Sequence, residues 1–341
     1  MLFLKTDEME KTYSKIVMLS VAFMMSMASF AETKINGVYY NLDGNKNQAQ
    51  VTYNESAPTA SYSYSGAVTI PQVVTYEGKE YSVTSIGEEA FLENRGLTSI
   101  TIPNSIKSIG DKAFYGCSAL TSVAIPNSVT SIGEGAFSGC DALTSINIPG
   151  SVEHIGMGAF ASCNALASII VDKDNSIYDS RSGCNAIIMI ANNMLVAGCK
   201  GTIIPNTVSG IAPCAFYGCQ SMTNITIPNS VRTIGNNAFA LCYGLSSITI
   251  PESVITIGRG AFMLCSSLSS VTINGANTSI MSYAFDGCRS VSSVKLLSQT
   301  PPAIDNMTFD VYGELHVPAS VVKAYQVADY WKKFRIVGDK K

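Results

Sequence analysis

The chain has 341 residues, with 22 Lys and Arg against 25 Asp and Glu, a net charge of −3 and a pI near 5.5. It therefore lacks the basic excess that nucleic-acid binding requires. Only 14% of residues are charged, against a usual quarter or so, while Ser, Thr, Asn and Gly are abundant, so the surface must be mostly neutral and polar.

Residues 1–31 read as a secretory signal peptide. Lys11 and Lys15 precede an apolar run from Ile16 to Phe30, and Ser29-Phe30-Ala31 is a small-x-small cleavage site. The run is about 15 residues, short of the roughly 20 that span a bilayer. No cysteine stands near the cleavage site to carry a lipid anchor. The mature chain is thus expected to be secreted, periplasmic or on the cell surface, without a membrane span.

Residues 32–66 are expected to form an N-terminal β cap, with strands at Ile35–Leu42 and Gln48–Tyr53 joined by the turn-rich Asp43-Gly-Asn-Lys-Asn47. Such a cap covers the cross-section and strand edge that the first coil of a repeat array otherwise exposes.

Residues 67–314 repeat. Ile100-Thr-Ile-Pro-Asn-Ser-Ile-Lys-Ser-Ile-Gly-Asp-Lys-Ala-Phe-Tyr-Gly-Cys117 returns 23 residues later as Val123–Cys140 and again as Ile146–Cys163; after an interruption the frame resumes at Met222, Leu245, Leu268 and Val291. This period, with an aliphatic core pattern, predicts a β-rich leucine-rich repeat solenoid of about ten coils and a continuous parallel sheet. With Leu97 as position 1, aliphatic residues at positions 1, 4 and 6 form an inward-facing strand, and a proline at position 7 ends it. Glycine at position 14, as at Gly110, is expected to let the backbone turn. Phenylalanine at position 18, from Phe91 to Phe285, with Phe309 in a degenerate last copy, predicts a stacked core column.

The insert-bearing coil, 166–198, replaces one repeat; its Tyr178–Ile190 and Met194–Ala197 read as a hairpin built out from the return side. Asp172, Asp174 and Asp179 are spaced poorly for a calcium loop, since Ser176 and Ile177 stand where a ligand and a glycine belong. Seven of the ten cysteines (Cys117, Cys140, Cys163, Cys219, Cys242, Cys265, Cys288) occupy position 21. Stacking there holds neighbouring Cβ atoms near 4.8 Å, wider than a disulfide wants, so buried free thiols are expected. Pairing of Cys184 with Cys199 across the insert is left open. Residues 315–341 are expected to form a C-terminal cap: a strand at Glu314–Pro318, a helix over about Ala319–Ala328, the sole tryptophan Trp331, and a solvated basic tail ending in Lys340 and Lys341.

No catalytic constellation, metal set or phosphate loop is present: His154 and His316 are the only histidines and belong to no recognisable motif. No enzyme activity and no cofactor is expected. The Leu-Thr-Ser-Ile-Thr-Ile-Pro-Asn-Ser and Ser-Ile-Gly-x-x-Ala-Phe-x-x-Cys motifs, the Tyr178-Asp-Ser-Arg insert with Cys184-Asn-Ala-Ile-Ile, and the closing Val317-Pro318, Ala324-Tyr325 and Trp331 together resemble the BspA-like leucine-rich repeat proteins of host-associated anaerobes, chiefly Bacteroidales. The resemblance implies surface adhesion and binding of host extracellular proteins.

The candidate contact surface is the concave outward face of the repeat strands. Its residues are Thr98, Thr121, Thr144 and Ser246 at position 2, Ser122 at position 3, and Thr101, Asn147, Thr226, Thr249 and Thr272 at position 5, with Tyr178 as a candidate contact on the insert. Such a face suits an extracellular or host protein, or a glycan. A structural envelope component without a discrete ligand is the alternative. Aromatic and arginine anchors are missing from these positions, which predicts spread and modest contacts.

Overall fold

The structure, a computed structural model, describes residues 32–53 and 64–339; the signal-peptide reading of 1–31, part of the N-terminal cap and the last two lysines lie outside these residues. The chain winds into a β-solenoid of about 11 turns with parallel sheets and a small C-terminal helix. Two rows of strands run along it. Outward strands at positions 3 to 6, such as Ser145–Ile148 and Ser247–Ile250, stop at Pro149 and Pro251. Each proline carbonyl then accepts the N–H three residues on, as in Ile106 to Pro103 and Val254 to Pro251, both at 3.1 Å. The second row consists of two-residue return strands such as Ser108–Ile109 and Ser131–Ile132, paired in parallel with no register slip. The outward row is broken into sheets of three, two and five strands; the return row forms sheets of eight and seven.

Between the rows lies the core. Rings at position 18 stack nearly parallel, 4.8 to 5.7 Å apart, from Phe91 to Phe160 and again from Phe216 to Phe309. Alongside them, six of the Phe N–H groups donate to the Ala carbonyl of the next coil, for example Phe114 to Ala136 at 2.7 Å, while Phe285 donates to Thr308 O. Six of the position-21 thiols donate to the Phe carbonyl of the coil beneath, as Cys117 does to Phe91 at 3.1 Å. All seven are buried and unpaired, and so are Cys184 and Cys199, whose thiols point to the carbonyls of Ala186 and Asn185. Desolvation pushes the thiols of Cys117 and Cys163 up to about 12 and that of Cys140 well above 9.

Position-14 glycine has a different role from the turn expected of it. Gly110, Gly133, Gly156, Gly235 and Gly258 all have ordinary φ. A Cβ on Gly156 would lie 2.3 Å from Glu134 N, and one on Gly110 2.6 Å from Glu88 N. The glycine thus lets adjacent coils approach backbone to backbone. The left-handed turns fall instead at positions 16 and 20, taken by glycine in some coils and by Lys112, Asn237, Leu241 and Leu264 in others.

The insert is built into the stack. Its hairpin, Ala186–Met189 with Met194–Gly198, joins the return ladder through Leu195 and Ile211. Ile187 and Ala197 pack into the N-terminal half of the core, whereas Ala186, Ile188 and Leu195 pack into the C-terminal half. An apolar strand with both faces buried must lie inside a core. The Ala215 carbonyl accordingly accepts from Gly198 at 2.8 Å where the regular pattern calls for Phe160, and a Cβ on Gly198 would stand 2.1 Å from the Phe216 ring.

The ends are closed by aromatics. Tyr64 tilts onto Phe91 at 4.7 Å and its hydroxyl donates to Thr52 O, while the strands Glu32–Ile35, Val38–Asp43 and Gln48–Thr52 extend the return sheet. At the other end Trp331 and Phe334 cover Phe309, and Trp331 Nε1 donates to Pro302 O at 2.7 Å. Residues Ala319–Val321 form a 3₁₀ turn before the Val322–Val327 helix, and Arg335–Asp339 adds a last parallel outward strand.

Two stability measurements check this account. Gly156→Ala should cost about 2 to 3 kcal/mol through backbone overlap. Gly135→Ala, with φ +58 but no atom within 3.7 Å of its added Cβ, should cost only about 1 kcal/mol; urea unfolding of the pair decides the order. The thiols set a pH dependence. A folded thiol keeps its proton to about 12 and an unfolded one releases it near 9, so above pH 9 the unfolded state binds fewer protons. Stability is fully present below that point and falls by about 1.4 kcal/mol per pH unit for each of Cys117, Cys140 and Cys163 as pH rises. Unfolding in reductant at rising pH should show this slope, and Cys140→Ala should flatten it.

Candidate functional site

At position 2 the side chain stands over the carbonyl of the coil beneath, and a hydroxyl there has an acceptor within reach. Thr121 Oγ1 donates to Thr98 O at 3.4 Å, Ser246 Oγ to Thr223 O at 3.3 Å and Ser269 Oγ to Ser246 O at 3.0 Å. Serine at position 9 does the same inside the coil, Ser128 to Ile106 O and Ser253 to Val231 O. Much of the Ser and Thr content is therefore a hydroxyl ladder that ties coils together.

Of the sequence-derived contact residues, Thr98, Thr101, Thr121, Ser122, Thr144, Asn147, Thr226, Ser246 and Thr249 are exposed and Thr272 is half-buried. Thr249 and Thr272 are direct neighbours in one sheet. Thr101 and Asn147 lie in two other sheets, and Thr226 sits on a coil without an outward strand. Tyr178 is not available as a contact. It is 2% exposed, and its hydroxyl accepts the Ile155 N–H at 3.2 Å, filling a ladder position that the insert leaves open.

Two features escape a reading based on the regular copies. The first lies in the position-5 column itself. Ile170, the neighbour of Asn147 in the sheet, is 52% exposed, and Ile203, at position 5 of the next coil, is 75% exposed. Ile203 donates its N–H to Cys184 O, so the insert holds this isoleucine at the surface. Polar residues flank the two: Asn147 on one side, Thr226 on the other. Counting position 5 through the irregular coils as well as the regular ones reveals the pair.

The second feature is a groove of about 590 Å³ over the turns of the coils around the insert, with Tyr115, Tyr217, Met157 and Cys214 among its walls and Gly135, Gly158 and Ala161 in its floor. Burial, and then the neighbouring Cys214, Tyr115 and Tyr243, raise the Tyr217 phenol above its ordinary value. Gly135 lies under Tyr115, whose Cδ2 is 4.0 Å from where a Cβ would stand.

Metal chemistry finds no assembled site among the described residues. No group of three His, Cys, Asp or Glu side chains is placed to hold a metal ion. Asp172 accepts the Asp174 N–H, Asp174 pairs with Lys173, and Asp179 takes the Arg181 guanidinium at 2.8 and 2.7 Å. Arg181 also donates to Asn193 Oδ1, pinning the insert's turn to its hairpin loop.

Comparison with known proteins follows the same architecture. The leucine-rich repeat protein from Bacteroides ovatus has a TM-score of 0.55 at 26% identity, over 85% of this chain and 77% of that one. A leucine-rich repeat protein from Eubacterium ventriosum has a TM-score of 0.56 at 19% identity, over 89% and 92%. The pneumococcal vaccine antigen PcpA has a TM-score of 0.51 at 19% identity, over 92% and 99%; the last two likenesses show the fold alone. Among curated protein sequences none matches. The model of the BspA type leucine rich repeat region matches in six copies over residues 74–186 and 197–312, its gap falling in the septal hairpin. The chain belongs to the BspA-type leucine-rich repeat family.

Proposed function

We propose that the protein is an exported, non-enzymatic recognition protein that binds a protein partner on the outward face of positions 2 to 5. The observation that carries this reading is the exposed pair Ile170 and Ile203 within a polar column. An apolar centre with a polar rim is the anatomy of a protein interface, and it supplies the anchors that small hydroxylated side chains cannot. Leucine-rich repeat proteins generally bind proteins, which agrees with this assignment. A surface or secreted location is supported by the family's usual placement and by the character of residues 1–31. No helix among the described residues is long and apolar enough to cross a membrane. Contact spread over several coils favours modest affinity for one molecule and a strong gain on multivalent display.

The test is an array of extracellular host proteins and polysaccharides probed with the protein, followed by substitutions. Ile203→Asp and Ile170→Asp should each weaken the partner found by at least about tenfold, a hot-spot effect near or above 1.4 kcal/mol. Charge substitutions at Thr101, Asn147, Thr226 and Thr249 should weaken it less, and all should keep the thermal transition. Equal affinity of both isoleucine variants with the parent moves the interface elsewhere; an array without a protein partner favours a structural envelope role.

A further inference from the structure

The groove over the turns shows a charge pattern that its own chain leaves unfinished. Five charged residues line it, and its two cations are already engaged: Arg95 with Glu93 and Lys112 with Glu89, both at 3.1 Å. Of the acids, Asp141 accepts only from the neutral Asn164 amide, at 2.7 Å, and the exposed Glu134 forms no direct ion pair among the described residues: Lys112 is near enough to feel its charge, but its ammonium is bound to Glu89. Glu134 is close enough to raise the Cys214 thiol, after burial, and Cys214 in turn neighbours Tyr217. A carboxylate whose nearest cation is already engaged therefore shares a concavity with two tyrosines.

Further along the chain a tyrosine at another repeat position, 16 and not the 19 of Tyr115 and Tyr217, is covered by a cation of this chain. Arg259, at position 15 of its coil, lies over the Tyr283 ring with its guanidinium 4.4 Å from the centroid. Glu134 occupies position 15 in the groove, so an acid stands where the other coil carries its arginine. Neither Tyr115 nor Tyr217 has a cation of this chain over its ring among the described residues. Meanwhile the floor is kept low by Gly135 and Gly158, whose left-handed φ of +58 and +62 and missing side chains leave room between the walls.

We infer that this groove is a second contact site, which takes an arginine or lysine side chain of a protein partner against Tyr115 and Tyr217 with Glu134 as counter-charge. Planar guanidinium suits it best, because it stacks on aromatic faces and sheds water more readily than ammonium. The site rests on the protein-recognition reading above and deepens it: the outward isoleucines supply apolar contact on one face, while the groove selects a basic residue on another. Because its pairing is electrostatic and partly exposed, binding here must weaken with salt.

The experiment uses the protein and fluorescein-labelled peptides of one length that carry arginine, lysine, glutamine or glutamate at the same positions, read by fluorescence anisotropy at low and high salt. The arginine peptide should bind most tightly, lysine less, and glutamine and glutamate not measurably. Glu134→Gln should weaken the arginine peptide about tenfold and reduce its salt dependence, and Tyr115→Ala about fivefold, whereas Tyr115→Phe, which keeps the ring, should bind as the parent does. Ala161→Phe, which fills the floor, should abolish binding. The inference is overturned if the glutamine peptide or neutral oligosaccharides bind as well as the arginine peptide, or if Glu134→Gln changes nothing. Should that happen while Ile203→Asp still weakens a protein partner, the groove assignment alone falls and the recognition reading stands.

Discussion

Close approach between coils at position 14 is the constraint on which the rest of the structure depends. Glu134 N stands 2.3 Å from where a side chain on Gly156 would begin, so glycine lets the two backbones meet there, whereas the coil next to the insert and the last regular coil carry Ala212 and Met281 at this position. That contact lets rings four residues along in each coil stack at about 5 Å. It also lets each coil's backbone groups pair with the next. Once the spacing is set, every position in the repeat becomes a column, and each column must tolerate itself one coil above and below. Cysteine satisfies this at position 21 because a thiol is small, apolar and still able to donate weakly to a carbonyl beneath it. Serine satisfies it at position 9 for a similar reason.

The same logic limits what the buried hydroxyls and thiols can do. A buried hydroxyl or thiol whose proton is committed to the neighbouring coil is not free to act as a nucleophile, and desolvation holds the thiols far from ionising at neutral pH. What projects from the columns, and the places where the columns fail, are the candidate surfaces. One such place is the septal hairpin. By separating Phe160 from Phe216 it interrupts the ring stack and turns Ile203 outward on one face, while on the turn side the flanking coils meet directly, Ser162 N–H donating to Tyr217 O within the groove wall. Both candidate surfaces flank one defect in the repeat.

Each end of the array faces the opposite problem, a column with nothing above it. At the start, Asn94 takes position 21 where later coils have cysteine, and its carboxamide oxygen accepts the Tyr64 N–H at 2.8 Å in place of serving a further coil. At the finish, Trp331 and Phe334 cover the last ring while His316 sits between Asp339 and Glu314, with Lys295 and Arg335 completing the cluster. Contacts from His316 and then Lys295 hold the Asp339 carboxyl below its ordinary range. Charges of both signs on the outward side of these last strands discourage edge-to-edge pairing with another chain.

The 23-residue period, the identity of the core positions and the buried state of the seven register cysteines were all legible in the sequence, because a stacked column forces one residue type to recur at one spacing. Proline at position 7 could be read for the same reason, and the closing Trp331 from its place after the last repeat. What lay outside that reading has no periodic signature. The part played by the position-14 glycine depends on how near the neighbouring coil comes, which only coordinates reveal; composition cannot separate a glycine needed for φ from one needed for clearance. Burial of Tyr178, the septal place of Ile187 and Ile188, the exposure of Ile170 and Ile203, and the meeting of Tyr115 with Tyr217 depend on where the insert enters the stack. Tyr115 and Tyr217 are about a hundred residues apart in sequence and come to line one groove, with two coils between them. Sequence alone determined the scaffold, since repetition encodes it many times over; tertiary structure decided the surfaces, since each was encoded once, by contacts between segments that share no pattern.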